Sequence, residues 1–261
     1  MVIALLTNFG TRDYYVGAMK GVILSIDATV SIVDITHEIQ PQDIRSASFT
    51  LRACYRNFPP KTIFVAVVDP GVGSNRRAVL AETENYRFVA PDNGLLSFVF
   101  EEETNFRVFE LTNKKFLAPK ISRTFHGRDV FAPVAAFLSK GVSSSECGRE
   151  VNDLVRFKTV KPVRIFEGEI KAEIIHADNF GNLVTNLTVI DLPENFTLEI
   201  NGKVIKRRRE FYAEAVKDEV FMILGSAGFL EISVNQNSAR EILSVRAGDK
   251  ILLKALDKKT N

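Results

Sequence analysis

Apolar residues in the first half of the chain fall in short continuous runs, and stretches with helical spacing separate them. Residues 2–7, 30–35 and 62–68 read as strands, apolar on both faces as in a sheet covered on both sides. A helical pattern runs from about residue 13 to 26, and a second over 42–57 places Ile44, Ala47, Leu51 and Tyr55 along one face. Residues 78–81, 86–90 and 106–111 add strands, a short helix falls near Leu95, and another helix spans about 128–139. This alternation predicts an α/β N-terminal domain, residues 1–158, with a central mostly parallel sheet.

Beyond Phe157 the pattern changes. Residues 169–175 alternate apolar and polar with period two. Asn201-Gly202 stands between two short apolar runs, 197–200 and 203–205, which is a strong hairpin signal. Residues 219–224 and 250–253 add strands, with little helix between. A smaller C-terminal antiparallel β domain, residues 163–261, is therefore expected after a boundary at 160–162. Two domains of different class imply a cleft, a common place for a small-molecule site.

Composition narrows the function classes. A net charge of +2 gives no reason to expect nucleic acid, and the basic clusters at 206–209 and Lys258-Lys259 are short and offset by nearby acids. No apolar run approaches the roughly 18 residues a membrane helix requires. Cys54 and Cys147 lack metal-ligand spacing, and with no secretory leader they read as reduced thiols of a cytoplasmic protein. No two histidines stand at zinc-binding spacing, so a zinc site is not expected, and neither GxSxG nor GxxxxGK[ST] occurs.

Polar residues concentrate where strands end. The first strand runs into Thr7-Asn8-Phe9-Gly10-Thr11-Arg12-Asp13, and the 62–68 strand into Asp69-Pro70-Gly71-Val72-Gly73, with Arg76 just beyond. Thr124-Phe125-His126-Gly127-Arg128-Asp129 precedes a helix. If these ends share one sheet edge, Asn8, Asp69, Arg76 and His126 meet in one crevice. Each also has a plainer reading: Asp69 as a turn cap, Arg76-Arg77 as a solvated pair, His126 as a helix-entry residue, and Asp178 and Asn182 as turn formers around Gly181. Asp129 reads as a structural carboxylate near a helix N-terminus. His37 and His176 show no partner in the pattern and read as structural.

Taken together, Thr7-Asn-Phe-Gly10, Asp34-Ile-Thr-His-Glu38, Val68-Asp-Pro-Gly-Val-Gly73, Ala90-Pro-Asp-Asn-Gly94, Thr124-Phe-His-Gly-Arg-Asp129, Asp178-Asn-Phe-Gly-Asn182 and Gly225-Ser226 through Asn235-Gln236 resemble the S-adenosyl-L-methionine (SAM) hydroxide adenosyltransferases, in order and over nearly the whole chain. These are SAM hydrolases that form adenosine and methionine, related to the fluorinase and the adenosyl-chloride synthase. The resemblance implies an α/β N-terminal domain, a C-terminal β-barrel and a homotrimer, with SAM held between the N-terminal domain of one subunit and the C-terminal domain of the next, and no cofactor. It assigns Asp69, Arg76 and His126 to activation of water. Asp13, Asp178 and Ser226 match the methionine end, Asn182 and Val234-Asn235-Gln236 match the adenine pocket, Tyr212 gives an aromatic face to the base, and Glu231 lies near the amino acid.

The resemblance also separates hydrolysis from halogenation. The fluorinase has serine where this chain has Gly127 and tyrosine where it has Asp69. A carboxylate beside the nucleophile repels halide and suits water. An adenosyl-halide synthase and a non-catalytic SAM or adenosine binder are the alternatives. Family members usually carry Asp where this chain has Asn8. Asn keeps the shape but offers one acceptor oxygen and a donor amide, a loss of roughly 1–2 kcal/mol of ribose binding. Asn8→Asp is therefore expected to tighten SAM binding by calorimetry; an unchanged or weaker Kd contradicts this.

Overall fold

A computed structural model of the protein describes residues 1–256; the basic pair Lys258-Lys259 lies outside the described residues. The chain forms two compact units, Met1–Lys158 and the segment from Thr159 onward.

In the first unit a seven-stranded sheet runs in the order β2-β1-β3-β5-β4-β6-β7. Its strands are β1 (Val2–Thr7), β2 (Ser31–Thr36), β3 (Ile63–Val67), β4 (Ala78–Thr83), β5 (Arg87–Pro91), β6 (Phe106–Leu111) and β7 (Gly148–Glu150). The helices are α1 (Tyr15–Ile26), α2 (Ile44–Cys54), α3 (Val99–Glu102) and α4 (Ala132–Ser139). Side chains alternate across the sheet, as the continuous apolar runs require. Ile3, Leu5, Ile63 and Val65 face one core with Met19 and Ile23 of α1 and Ala135 of α4. Ala4, Leu6, Phe64 and Ala66 face a second core with Ala47 and Leu51 of α2.

The sheet is mixed rather than mostly parallel. β1 pairs in parallel with β2 and β3, and β3 with β5, but β5-β4, β4-β6 and β6-β7 are antiparallel. The reason lies in the connection: residues 84–86 join β4 to β5, far too few for the crossover a parallel pair needs.

The second unit is a nearly closed antiparallel, barrel-like sheet. It contains β8 (Val163–Phe166), β9 (Glu169–Ala177), β10 (Leu183–Thr188), β11 (Phe196–Ile200), β12 (Lys203–Ile205), β13 (Val220–Leu224), β14 (Phe229–Val234) and β15 (Lys250–Ala255), with one helix, α5 (Ala239–Leu243). The order is β12-β11-β15-β9-β10-β14-β13, with β8 on β9. Closure comes from the segment after β12, where Arg209 N donates to Met222 O at 3.0 Å and Met222 N to Arg207 O at 2.8 Å. Asn201 and Gly202 take the positive φ values of 48° and 72° that a tight hairpin needs. β10 escapes the period-two pattern because it is buried on both faces, and β14 is likewise buried on both, Glu231 and Ser233 included.

Among the described residues no helix is long and apolar enough to cross a membrane. Cys54 and Cys147 are free, and burial pushes both thiols up to about 11. Phe64 is fully buried in the second core of the first unit, stacked on Phe88 with ring centroids 5.1 Å apart. Phe64→Ala should cost about 3–5 kcal/mol in urea unfolding; a loss under 1 kcal/mol, roughly the effect of a surface change, contradicts this packing.

Candidate functional site

Parallel pairing of β1 with β3, Thr7 opposite Val67, brings both strands to the same edge of the sheet, so Asn8 and Asp69 leave from neighbouring strand tips. The tip of β3 is held from below, where Asn93 Nδ2 donates to Val68 O at 2.8 Å. From there the chain turns through Gly73 at φ +78°, where a Cβ would lie 2.2 Å from Arg123 O. Only glycine meets both demands. The close approach lays the 69–76 loop against the loop carrying His126.

The result is a compact triad. Arg76 Nε donates to Asp69 Oδ1 at 2.8 Å and to Oδ2 at 3.0 Å, and Arg76 Nη2 closes a second short contact on Oδ2. The same Nη2 lies 2.7 Å from His126 Nδ1. The side chains of Asp69 and Arg76 are only 5% and 10% exposed, and Phe131 supports the guanidinium from a ring centroid 5.4 Å away. Because a guanidinium only donates, Nδ1 of His126 is the accepting nitrogen. His126 leads into a π-turn, Gly127–Phe131, that runs on into α4. Burial, then the Arg76 charge, hold the imidazole below its ordinary pKa, against the opposing pull of Asp69 and Asp129.

Neighbouring groups brace this arrangement. Phe9 and Phe125 meet edge to face, with centroids 5.8 Å apart. Asp129 has the structural role expected of it: it accepts from Ser122 N at 2.7 Å and pairs with Arg128. Arg77 is no solvated residue, since it pairs with Asp92 at 2.6 Å and with Asp153. Asn8 is half-buried, and Asp13 stands exposed just ahead of α1.

The second unit holds its own concentration of predicted residues. One cavity of about 750 Å³ is lined by Asp178, Asn182, Tyr212 and Ser226 together with Glu231, Val234, Asn235 and Gln236. Phe180 and Leu224 add apolar rim, and among the described residues of the lining none carries a cationic side chain. Asp178 takes Asn182 N and Asn182 Nδ2, each at 2.8 Å, which fixes both side chains across the turn. Glu231 lies against Gly225, where a Cβ would sit 1.8 Å from its Oε1, and Tyr212 Oη is 3.5 Å from its Oε2. Burial and the Asp178 charge push the Glu231 carboxyl up, and burial and Glu231 do the same to Tyr212. The structure thus gathers Asp69, Arg76 and His126 into one cluster and eight residues of the second unit around one cavity.

The expectation for His37 needs correction. It is buried between two partners, with Nδ1 2.8 Å from Thr7 Oγ1 and Nε2 3.0 Å from Asp34 Oδ1, although the Nε2–H does not point along the line to that oxygen. The spacing Asp34-x-x-His37 at a strand end was the available signal. Among the described residues no group of three or more His, Cys, Asp or Glu is placed to hold a metal.

Comparison with known proteins shows the family of the chain. Residues 3–148 match the SAM hydroxide adenosyltransferase N-terminal domain and residues 172–252 the SAM hydroxide adenosyltransferase C-terminal domain. The (R)-S-adenosyl-L-methionine hydrolase of Methanocaldococcus jannaschii is 36% identical, over 96% of this chain and 94% of that protein. The Thermus thermophilus protein of the same name is 37% identical, over 93% and 95%. A fluorinase of an Actinoplanes species is 31% identical over 73% of each chain. In structure, an uncharacterized conserved protein from Thermotoga maritima superposes with a TM-score of 0.90 at 37% identity, covering 97% of this chain and 99% of that one.

Arg76→Gln should raise the pKa of His126, followed by NMR of the imidazole, because the cation leaves while Asp69 and Asp129 remain. An unchanged or lower value contradicts the role of Arg76. The same change strands the buried Asp69 charge, at a cost of about 3–5 kcal/mol in urea unfolding.

Proposed function

The chain belongs to the SAM hydroxide adenosyltransferase family, and on that premise we propose that it hydrolyses S-adenosyl-L-methionine to adenosine and L-methionine. The observation that carries this reading is the buried Asp69–Arg76–His126 cluster at a strand tip. The sulfonium makes methionine a good neutral leaving group and C5′ of the ribose an electrophile. The oxygen of water bonds to C5′ as the C5′–S bond breaks, its electron pair passing to sulfur, and one water proton passes to the protein.

Hydrogen-bond capacity decides who takes that proton. Nδ1 of His126 is occupied by Arg76 Nη2, and a neutral imidazole has no second accepting nitrogen. Oδ2 of Asp69 takes two Arg76 nitrogens, but Oδ1 takes one and keeps a lone pair. Asp69 therefore acts as the base, Arg76 stabilises hydroxide-like charge at the attacking oxygen, and His126 holds Arg76 in place. No cofactor enters the reaction.

The cavity of the second unit takes the rest of the substrate. Asp178 and Ser226 hold the methionine end with Asp13, and Glu231 adds negative charge toward the ammonium. Asn182 and the 234–236 segment hold adenine against Tyr212, while Asn8 meets the ribose. An anionic lining suits a ligand that carries a sulfonium and an ammonium. The reading places each SAM between the first unit of one subunit and the second unit of its neighbour in a homotrimer, in the cytoplasm.

The runner-up, an adenosyl-halide synthase, is favoured by the fluorinase relative but opposed by space and charge. A Cβ at Gly127 would press on Met19 Sδ at 3.1 Å and on Phe9 and Phe125 carbons at 3.2 Å, so a serine there would have to displace three side chains. Asp69 would also repel the halide.

Purified protein incubated with SAM, with and without chloride, should release adenosine and methionine by chromatography. A halogenated nucleoside contradicts hydrolysis, and binding without turnover contradicts catalysis. Asp69→Asn and His126→Ala should each lower turnover by about 10²–10⁴-fold while SAM still binds. In the wild type kcat/KM should hold below the ordinary histidine pKa of about 6.5, because the depressed His126 stays neutral there, and fall only on further acidification.

A further inference from the structure

Asn8 and Asp13 can act as assigned above only if the Thr7–Asp13 segment keeps its shape, yet that segment leaves the sheet at Thr7 and has no helix or strand of its own before α1. Its fixed end is polar. Thr7 is fully buried, His37 is 4% exposed, and their side chains meet at 2.8 Å, Oγ1 to Nδ1. The Thr7 hydroxyl also accepts from Phe9 N at 3.2 Å, which ties down the residue just after Asn8. On the far side, Asp34 lies 3.0 Å from His37 Nε2 and receives Lys20 Nζ at 2.6 Å.

Backbone geometry agrees. β1 and β2 run in register up to Leu5 opposite Asp34, and then Leu6 pairs with Thr36, skipping Ile35. That irregularity carries His37 to Thr7, and Gly10 N then donates to His37 O at 2.8 Å. A buried hydroxyl–imidazole pair in this position is costly unless both members are satisfied, so each holds the other to one orientation. Thr7 is too deeply buried to touch a substrate.

We propose that His37, acting through Thr7, is a positioning residue that fixes the Asn8 loop for ribose binding. The inference rests on the SAM-hydrolase reading for what the loop contacts, but not for how the loop is held.

Two readouts keep those apart. Hydrogen exchange on the full chain reports the loop alone, and calorimetry with SAM reports its use. Thr7→Val fills the same space without a hydroxyl, so amides of the 8–11 loop should exchange at least about tenfold faster while β3 stays protected. SAM Kd should rise with kcat little changed, the signature of lost uniform binding. His37→Leu should act like Thr7→Val, and His37→Asn, which keeps a polar atom facing Thr7, should recover part of both effects. Should Thr7→Val leave loop exchange at the wild-type rate, the positioning role is overturned, even if His37→Leu fails to fold. Faster loop exchange in a protein whose wild type does not bind SAM upholds the positioning and overturns the substrate reading instead.

Discussion

A guanidinium buried between a carboxylate and an imidazole is the constraint the first unit is built around. Arg76 reaches Asp69 with two nitrogens and His126 with one of them, almost out of water. Such a charge is stable only if every partner is held in place. The surrounding details serve that end: Gly73 lets two loops touch, Asn93 pins the strand beneath Asp69, and Phe131 lies alongside the cation. In the proposed reaction the same geometry favours Asp69 as the base, since it occupies the accepting nitrogen of His126 and leaves Asp69 Oδ1 a spare lone pair.

Much of this was legible in the residues. Continuous apolar runs gave the doubly covered strands, Asn201-Gly202 gave a hairpin with the required backbone, and the strand-end motifs gave the triad and the cavity lining. What escaped had physical causes. The antiparallel half of the first sheet depends on a three-residue connection whose consequence is topological rather than compositional. β10 is buried on both faces, so it shows no period-two signal. His37 finds its partners across parallel strands, at a register irregularity no local pattern reveals.

The two units divide the labour by charge. The first holds a fixed cation against a single carboxylate, close to where charge would develop on an attacking oxygen. The second offers a cavity lined by Asp178 and Glu231 with no cation among its described lining residues, a setting that suits a ligand with its own positive charges. Burial that pushes Glu231 up has the same origin, a carboxyl enclosed without a counter-ion. Under the proposed function, a substrate that is cationic at sulfur and at the amino group would satisfy the cavity and supply the leaving group together.

Turnover of SAM in water enriched in heavy oxygen, with mass analysis of the nucleoside, tests the central claim most directly. Attack of water at C5′ predicts adenosine carrying the heavy isotope in its 5′-hydroxyl, and methionine carrying none. Unlabelled adenosine, or label in methionine instead, would contradict the account.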